Sequence, residues 1–437
     1  MKQRLYLFVS LWSVFAGAGC AQLLGIEDSS SGDTVGLPVD ARPNTSTDAP
    51  MLPGDGPMLP GDGPSTTACA PLPSFGPVTK YGLVDSIALA VGDVNRDGFK
   101  DIVVVTRSST ASNVVIFDGS PNGTFGASRQ LHPGSPTTAT GVLIADVDAD
   151  GSQDIVTWNG MSPIPPIPSF TVSVHRQSIT AAGTFLAAQT FSVPGVAGVV
   201  AGKLNGDTRA DLVIQSGSSG DTFPYFASTT TAGAFTQGAL IATGMMVSHV
   251  TDIDQDGLDD VAFSRMAGGL AISFNVNAQT PGTFTPAAVG AGSADNASFG
   301  HYSGSATRLD VVMFGDAMPT VGVLYAQTSP RVFEQRSALV DGVRGFTVHT
   351  PGNGMKTLDL NTDGRDDVVG DGQAEIQCPT PGTFFPSRSA GTEIRFGDML
   401  SPPEVAVFSD INGNGKLDLI DLPTNGISSA FVEVWLQ

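Results

Sequence analysis

The sequence predicts an all-β protein, a seven-bladed β-propeller with calcium-binding loops, and three observations carry that expectation. A loop pattern, first met as DVNRDGFKDIVVV from Asp93 to Val105, recurs along the chain. Each copy is followed by apolar, β-branched runs between turn residues, and the copies lie about fifty residues apart. The other intact copies are DVDADGSQDIVTW from Asp146, DIDQDGLDDVAF from Asp252, DLNTDGRDDVV from Asp359 and DINGNGKLDLI from Asp410. Two are eroded, KLNGDTRADLVI from Lys203 and YSGSATRLDVVMF from Tyr302. Their final aspartates, Asp101, Asp154, Asp211, Asp260, Asp310, Asp367 and Asp418, stand 53, 57, 49, 50, 57 and 51 residues apart.

Each unit reads as an apolar run after the Asp, a second run, a Gly-x-Phe turn, a third run, and a fourth leading into the next loop. Unit one shows DIVVV, NVVIF, TFGASRQ and TGVLIAD. The turn marker recurs at Gly123 and Phe125, Gly183 and Phe185, Gly233 and Phe235, Gly282 and Phe284, and Gly382 and Phe384. Four short strands per fifty residues is blade spacing, and radial repetition protects sheet edges. No sustained helical periodicity interrupts the pattern. After Asp418 only two strands fit, DLIDL and SAFVEVWLQ, while two stand before Asp93, FGPVTKY and SIALAVGD. Together they are expected to form the last blade, so that the N-terminal strands close the ring within 69–437.

Upstream, residues 1–19 carry Lys2 and Arg4 before an apolar run too short to span a bilayer, which reads as an export signal. The small residues ending at Cys20 resemble a bacterial lipoprotein signal, with Gly17 where that family usually has Leu. The resemblance implies that Cys20 is lipidated. An ordinary cleaved signal is the alternative. Residues 20–68 are rich in Pro, Gly, Ser and Thr, repeat MLPGDGP in tandem, and read as a tether unable to bury enough apolar surface to order itself. An exported compartment permits a disulfide between Cys69 and Cys378, and two free thiols fit the sequence as well.

Asp and Glu number 42 against 21 Lys and Arg, a net charge of −21 that argues against nucleic acid as a partner. Much of that acidity lies in the loops. Oxygen-bearing side chains at positions 1, 3 and 5 of a tight loop point at one centre, and Gly at position 6 allows the turn; such hard ligands suit calcium. In the first loop the expected ligands are Asp93, Asn95, Asp97, the carbonyl of Phe99 and Asp101. In the same register follow Asp146, Asp148, Asp150, Ser152 and Asp154; then Asp252, Asp254, Asp256, Leu258 and Asp260. The last two sets are Asp359, Asn361, Asp363, Arg365 and Asp367; and Asp410, Asn412, Asn414, Lys416 and Asp418. An EF-hand begins identically but needs a bidentate carboxylate at position 12, where Val104, Thr157, Phe263, Gly370 and Asp421 stand. About five structural Ca2+ sites are therefore expected. In the third loop Lys203 is expected to pair with Asp207 and Asp211 in place of a metal, and the fifth loop has lost nearly every ligand.

The loop, its following strand and the Gly-Thr-Phe-Gly turn resemble the FG-GAP or VCBS repeat of integrin α-chain propellers and bacterial surface proteins, over about residues 70 to 437. The resemblance implies protein or glycan ligands. No catalytic motif stands out, and His132, His175, His249, His301 and His349 are scattered over the units. The expected function is a lipid-anchored, calcium-stabilised binding or adhesion module, not an enzyme, at the outer membrane or cell surface of a bacterium. An enzyme or accessory subunit acting on polysaccharide or lipid, with its site on loops such as 160–168 or 397–403, is one alternative. An envelope scaffold is another.

Overall fold

The computed structural model describes residues 73–106, 114–132, 139–160, 170–217, 219–264, 270–276, 282–289, 296–314, 322–339, 356–370, 373–382, 384–385, 405–422 and 429–437. The export signal, Cys20, the tether, Cys69, His349 and the loops 161–168 and 397–403 lie outside the described residues. Cys378 is disulfide-bonded, and its expected partner is among those outside.

The described residues form 27 strands in antiparallel sheets, with no helix among them. Blade 2 shows the design: Gly141–Ala145, Asp154–Trp158, Phe170–His175 and Gln189–Val193 pair in chain order. Four more sheets repeat it. The sixth sheet has seven strands and is two blades sharing one long strand, Thr79–Gly92. Residues 79–82 of that strand pair with Ser429–Trp435, and residues 86–92 pair with Asp101–Thr106. The register shifts between Gly82 and Ser86, where Asp85 takes a φ of 54°. Seven blades result, closed by N-terminal residues as expected.

The division of strands differs from the expected one. SIALAVG belongs to blade 1, and the last blade takes Val405–Ser409 instead, with Asp418–Leu422, Ser429–Trp435 and residues 79–82. Every unit is shifted by one strand for the same reason. The eight-residue loop folds its flanking strands into a hairpin, so Gly92 pairs with Asp101 and Ser409 with Asp418. The strand before each loop thus shares a sheet with the strand after it.

Successive residues of a strand point to opposite sheet faces. Ile102 and Val104 enter the cluster shared with blade 7, while Val103 and Val105 enter the cluster shared with blade 2. Both faces are buried, which is why apolar residues run without alternation after each loop. Seven hydrophobic clusters fill the junctions 1/2, 2/3, 3/4, 4/5, 5/6, 6/7 and 7/1. The core is therefore distributed between blades.

Tyr81 secures the closing junction. Its ring meets Phe117 and Phe125 of blade 1 edge-on at 5.9 and 5.3 Å, and its hydroxyl accepts the Phe125 N–H at 3.1 Å. Tyr81→Ala is expected to lower unfolding free energy by about 3–5 kcal/mol, the usual loss for a packed aromatic. Urea titration would read it, and a loss below about 1 kcal/mol would remove Tyr81 from the closure.

Candidate metal loops and their clasp aspartates

The final Asp of every repeat is the first residue of its blade's second strand, and all seven are fully buried. One oxygen of each accepts the main-chain N–H seven residues earlier: Val94, Val147, Leu204, Ile253, Ser303, Leu360 or Ile411, at 2.6–3.2 Å. The other accepts an N–H at or near the end of the third strand: Gly119, Gln177, Ala227, Asn275, Gln327, Gln377 or Gln437, at 2.7–2.9 Å. Each carboxylate so clasps the loop to the strand beyond. A buried main-chain N–H without a partner is costly, which explains the survival of this residue in the two eroded repeats. Burial raises Asp101 and Asp211 to about 6, Asp154 and Asp367 to about 7, and Asp260 to about 8; their amide hydrogen bonds oppose the rise.

The rest of each intact loop is wound about its position-1 aspartate. Asp93, Asp146, Asp252, Asp359 and Asp410 accept the N–H of the position-6 glycine at 2.8–3.0 Å. Position 5, as Asp97, Asp150, Asp256, Asp363 and Asn414, accepts the N–H of Phe99, Ser152, Leu258, Arg365 and Lys416 at 2.7–3.0 Å. Glycine at position 6 takes φ between 80° and 94°, a region closed to most side chains. Position 4 is left-handed too, at Arg96, Ala149, Gln255 and Thr362, a local cost held in place by the surrounding bonds. Position 2 anchors the loop: Val94, Val147, Leu204, Ile253, Leu360 and Ile411 each insert into the junction with the next blade.

Two loops bring three carboxylates together. Oxygens of Asp146, Asp148 and Asp154 lie within 4.8 Å of one another, as do those of Asp252, Asp254 and Asp260. Asp148 gives one oxygen to Arg176 at 3.0 Å, and Asp254 gives one to Arg331, which also reaches Asp256 at 3.3 Å. The other oxygen, Oδ1, of both Asp148 and Asp254 is buried with no hydrogen-bond partner among the described residues. Their side chains are only 5% and 2% exposed, so an unpartnered anionic oxygen there is expensive. A hard divalent cation fits both positions: oxygen donors converge, and the orphaned oxygens would gain a partner. In the first loop, by contrast, Asn95 Nδ2 donates to Asp97 and Asp101 at 3.0 and 3.3 Å, an amide proton standing toward the carboxylates.

The eroded loops are repaired differently from expectation. Asp207 pairs with Arg209 at 3.7 Å, both Asp211 oxygens accept main-chain amides, and no ion pair joins either residue to Lys203 among the described residues. Lys203 donates its main-chain N–H to Asp259 of the following blade at 2.7 Å. His301 does the same to Asp366 at 2.7 Å. An Asp at position 8 thus follows each eroded loop and latches it from the next blade. Two of the histidines also meet across blades: His132 Nε2 and His175 Nδ1 are 2.9 Å apart, with Thr157 Oγ1 3.1 Å from His175 Nε2. Burial, and then His132, press His175 down to about 4. Asp421, at position 12, lies opposite Ala406 and Glu433 in the sheet instead of in the loop.

Residues 79–157 match the family model described as FG-GAP-like repeat. They hold the closing strand, the first clasp and the second loop, and the clasp recurs in all seven blades. Those residues are an FG-GAP-like repeat within a seven-bladed propeller. No curated protein matches it in sequence. Among solved structures it is similar to BBS1N in complex with ARL6DN, at 11% identity and a TM-score of 0.48, over 84% of this chain and 96% of that one. It is also similar to the exotype rhamnogalacturonan lyase YesX, at 15% identity and 0.42, over 84% and 75%. The Dos1 propeller matches at 10% and 0.41, over 83% and 94%. A repeat propeller of this kind is a generic binding or scaffold module.

Proposed function

We propose that this FG-GAP-like propeller is a calcium-stabilised binding module of the bacterial envelope, held there by lipid on Cys20 and recognising protein or glycan ligands rather than catalysing a reaction. The observation that carries the calcium part is the pair of buried, unpartnered oxygens on Asp148 and Asp254, each inside a carboxylate triad. Asp146, Asp148 and Asp154 would hold one ion, and Asp252, Asp254 and Asp260 another. When bound, calcium supplies charge neutralisation that lets the loops stay ionised while packed. The blades then present rigid turns of the sort on which binding surfaces are built.

The test is attachment of the full-length protein to intact bacterial cells, polysaccharides and matrix proteins, in calcium and in chelator. Calcium-dependent binding to one class supports the reading; uniform absence of binding by folded, calcium-loaded protein overturns it. Separately, replacing Asp252 and Asp254 together with Ala is expected to lower bound calcium by one ion per chain in metal analysis after dialysis. An unchanged count would sink the assignment of that loop.

A further inference from the structure

The fifth repeat departs furthest from a cation site, and what replaces it is a cavity. Its position-1 residue, Tyr302, is fully buried, with its hydroxyl 3.0 Å from Ser298 Oγ and 2.6 Å from Thr357 Oγ1. The Tyr302 carbonyl accepts the Gly382 N–H at 2.7 Å and Gln377 Nε2 at 2.9 Å. The side chain that elsewhere faces the loop centre is here a plug in the 5/6 junction. Beside the loop lies a cavity of about 710 Å³, bordered by Ser303, Ser305 and Arg308 of the loop and by Gln327 and Arg336 of the third and fourth strands. No carboxylate is among its lining residues, in a chain whose net charge is −21.

We propose that this cavity binds an anionic, hydroxyl-rich ligand, an acidic sugar, with its oxyanion at Arg308 and Arg336. The proposal rests on the binding-module reading and names the ligand class of one site. Guanidinium groups present forked donors matched to carboxylate and phosphate oxygens. Arg308 spends one donor on the Thr328 carbonyl at 2.9 Å, which fixes it at the wall, and Arg336 has an exposed companion, Glu334, at 3.7 Å. Gln327 is 4% exposed, and neither atom of its side-chain amide has a partner among the described residues. A buried amide left unpaired is costly, and sugar hydroxyls both donate and accept as this amide requires. Asp310 lies beneath the site, outside the lining, with its oxygens taken by the N–H groups of Ser303 and Gln327 at 2.6 and 2.9 Å. The volume falls within the roughly 300–1,000 Å³ usual for small-ligand sites.

Isothermal titration of the full-length, calcium-loaded protein with digalacturonate, a neutral disaccharide and inorganic phosphate tests this. Digalacturonate is expected to bind most tightly, phosphate more weakly and the neutral sugar at least tenfold more weakly than digalacturonate. Arg308→Glu with Arg336→Glu is expected to weaken digalacturonate binding at least tenfold, while Arg308→Lys retains part of it and melts as wild type does. Equal binding of acid and neutral sugar, phosphate binding as tight as digalacturonate, or binding indifferent to the double variant overturns the proposal. Calcium-dependent attachment to cells with no binding of either anion overturns the cavity assignment alone. Loss of both overturns the reading beneath it.

Discussion

Replacing Asp211 with Ala is expected to lower unfolding free energy by about 2–6 kcal/mol, although the third loop lacks a full ligand set. The carboxylate accepts the buried N–H groups of Leu204 and Ala227 at 3.1 and 2.8 Å. Truncation leaves both unsatisfied, and each orphaned buried donor costs about 1–3 kcal/mol. Asp211→Asn keeps one acceptor but turns an amide nitrogen toward the other donor, so an intermediate loss is expected. Asp207→Ala, four residues away and paired with Arg209 at the surface, should cost less than about 1 kcal/mol. Chemical denaturation of the three variants ranks them. If Asp211→Ala lies within about 0.5 kcal/mol of wild type, the final aspartates are not clasps, and their presence in every repeat needs another explanation. The third repeat is the place to ask, because the loss there should be the same in calcium and in chelator.

How much of this was legible in sequence depended on which force leaves a mark. Glycine at position 6 and the invariant final Asp are demanded locally, by φ near 90° and by two buried donors, so both stand out in every intact repeat. Blade count followed from them, and ring closure from the strands left outside the first and last loops. The phase of the blades did not, because the strands flanking a loop are equally apolar and only the hairpin pairing of Gly92 with Asp101 decides which sheet they join. The clasp role hid behind metal chemistry, although the survival of Asp310 in a loop otherwise stripped of ligands was the available clue. Contacts between blades left no local trace. Arg331 reaches Asp254 from 77 residues away, and His132 meets His175 from 43. The latches Asp259 and Asp366 read as ordinary loop acids until the eroded loop that each one caps is placed beside it.

The pH dependence of stability should weaken when calcium is added. Burial raises Asp154 to about 7 and Asp260 to about 8, from an ordinary value of 3.8. Between pH 4 and those values the metal-free fold binds more protons than the unfolded chain, so its stability falls as pH rises. The slope is up to about 1.4 kcal/mol per pH unit for each such group. Calcium takes only the ionised carboxylates, so it competes with the proton and offsets the same penalty. A site filled at a hundredfold over its dissociation constant adds about 2.7 kcal/mol. In chelator, the melting temperature of the full-length protein is therefore expected to fall steadily from pH 5 to pH 8. In millimolar calcium the fall should flatten, with the largest calcium increment at pH 8 and the smallest at pH 5. Some slope should persist in calcium, because Asp211 is also raised, to about 6, in a loop where Lys203 stands in place of a position-1 carboxylate. Parallel profiles in calcium and chelator would separate the buried carboxylates from metal binding and leave the triads at Asp148 and Asp254 as purely structural clusters. A calcium increment that grows with pH and is reduced by Asp148→Ala or Asp254→Ala would tie the orphaned oxygens to the ion directly, since neither side chain takes part in the clasp.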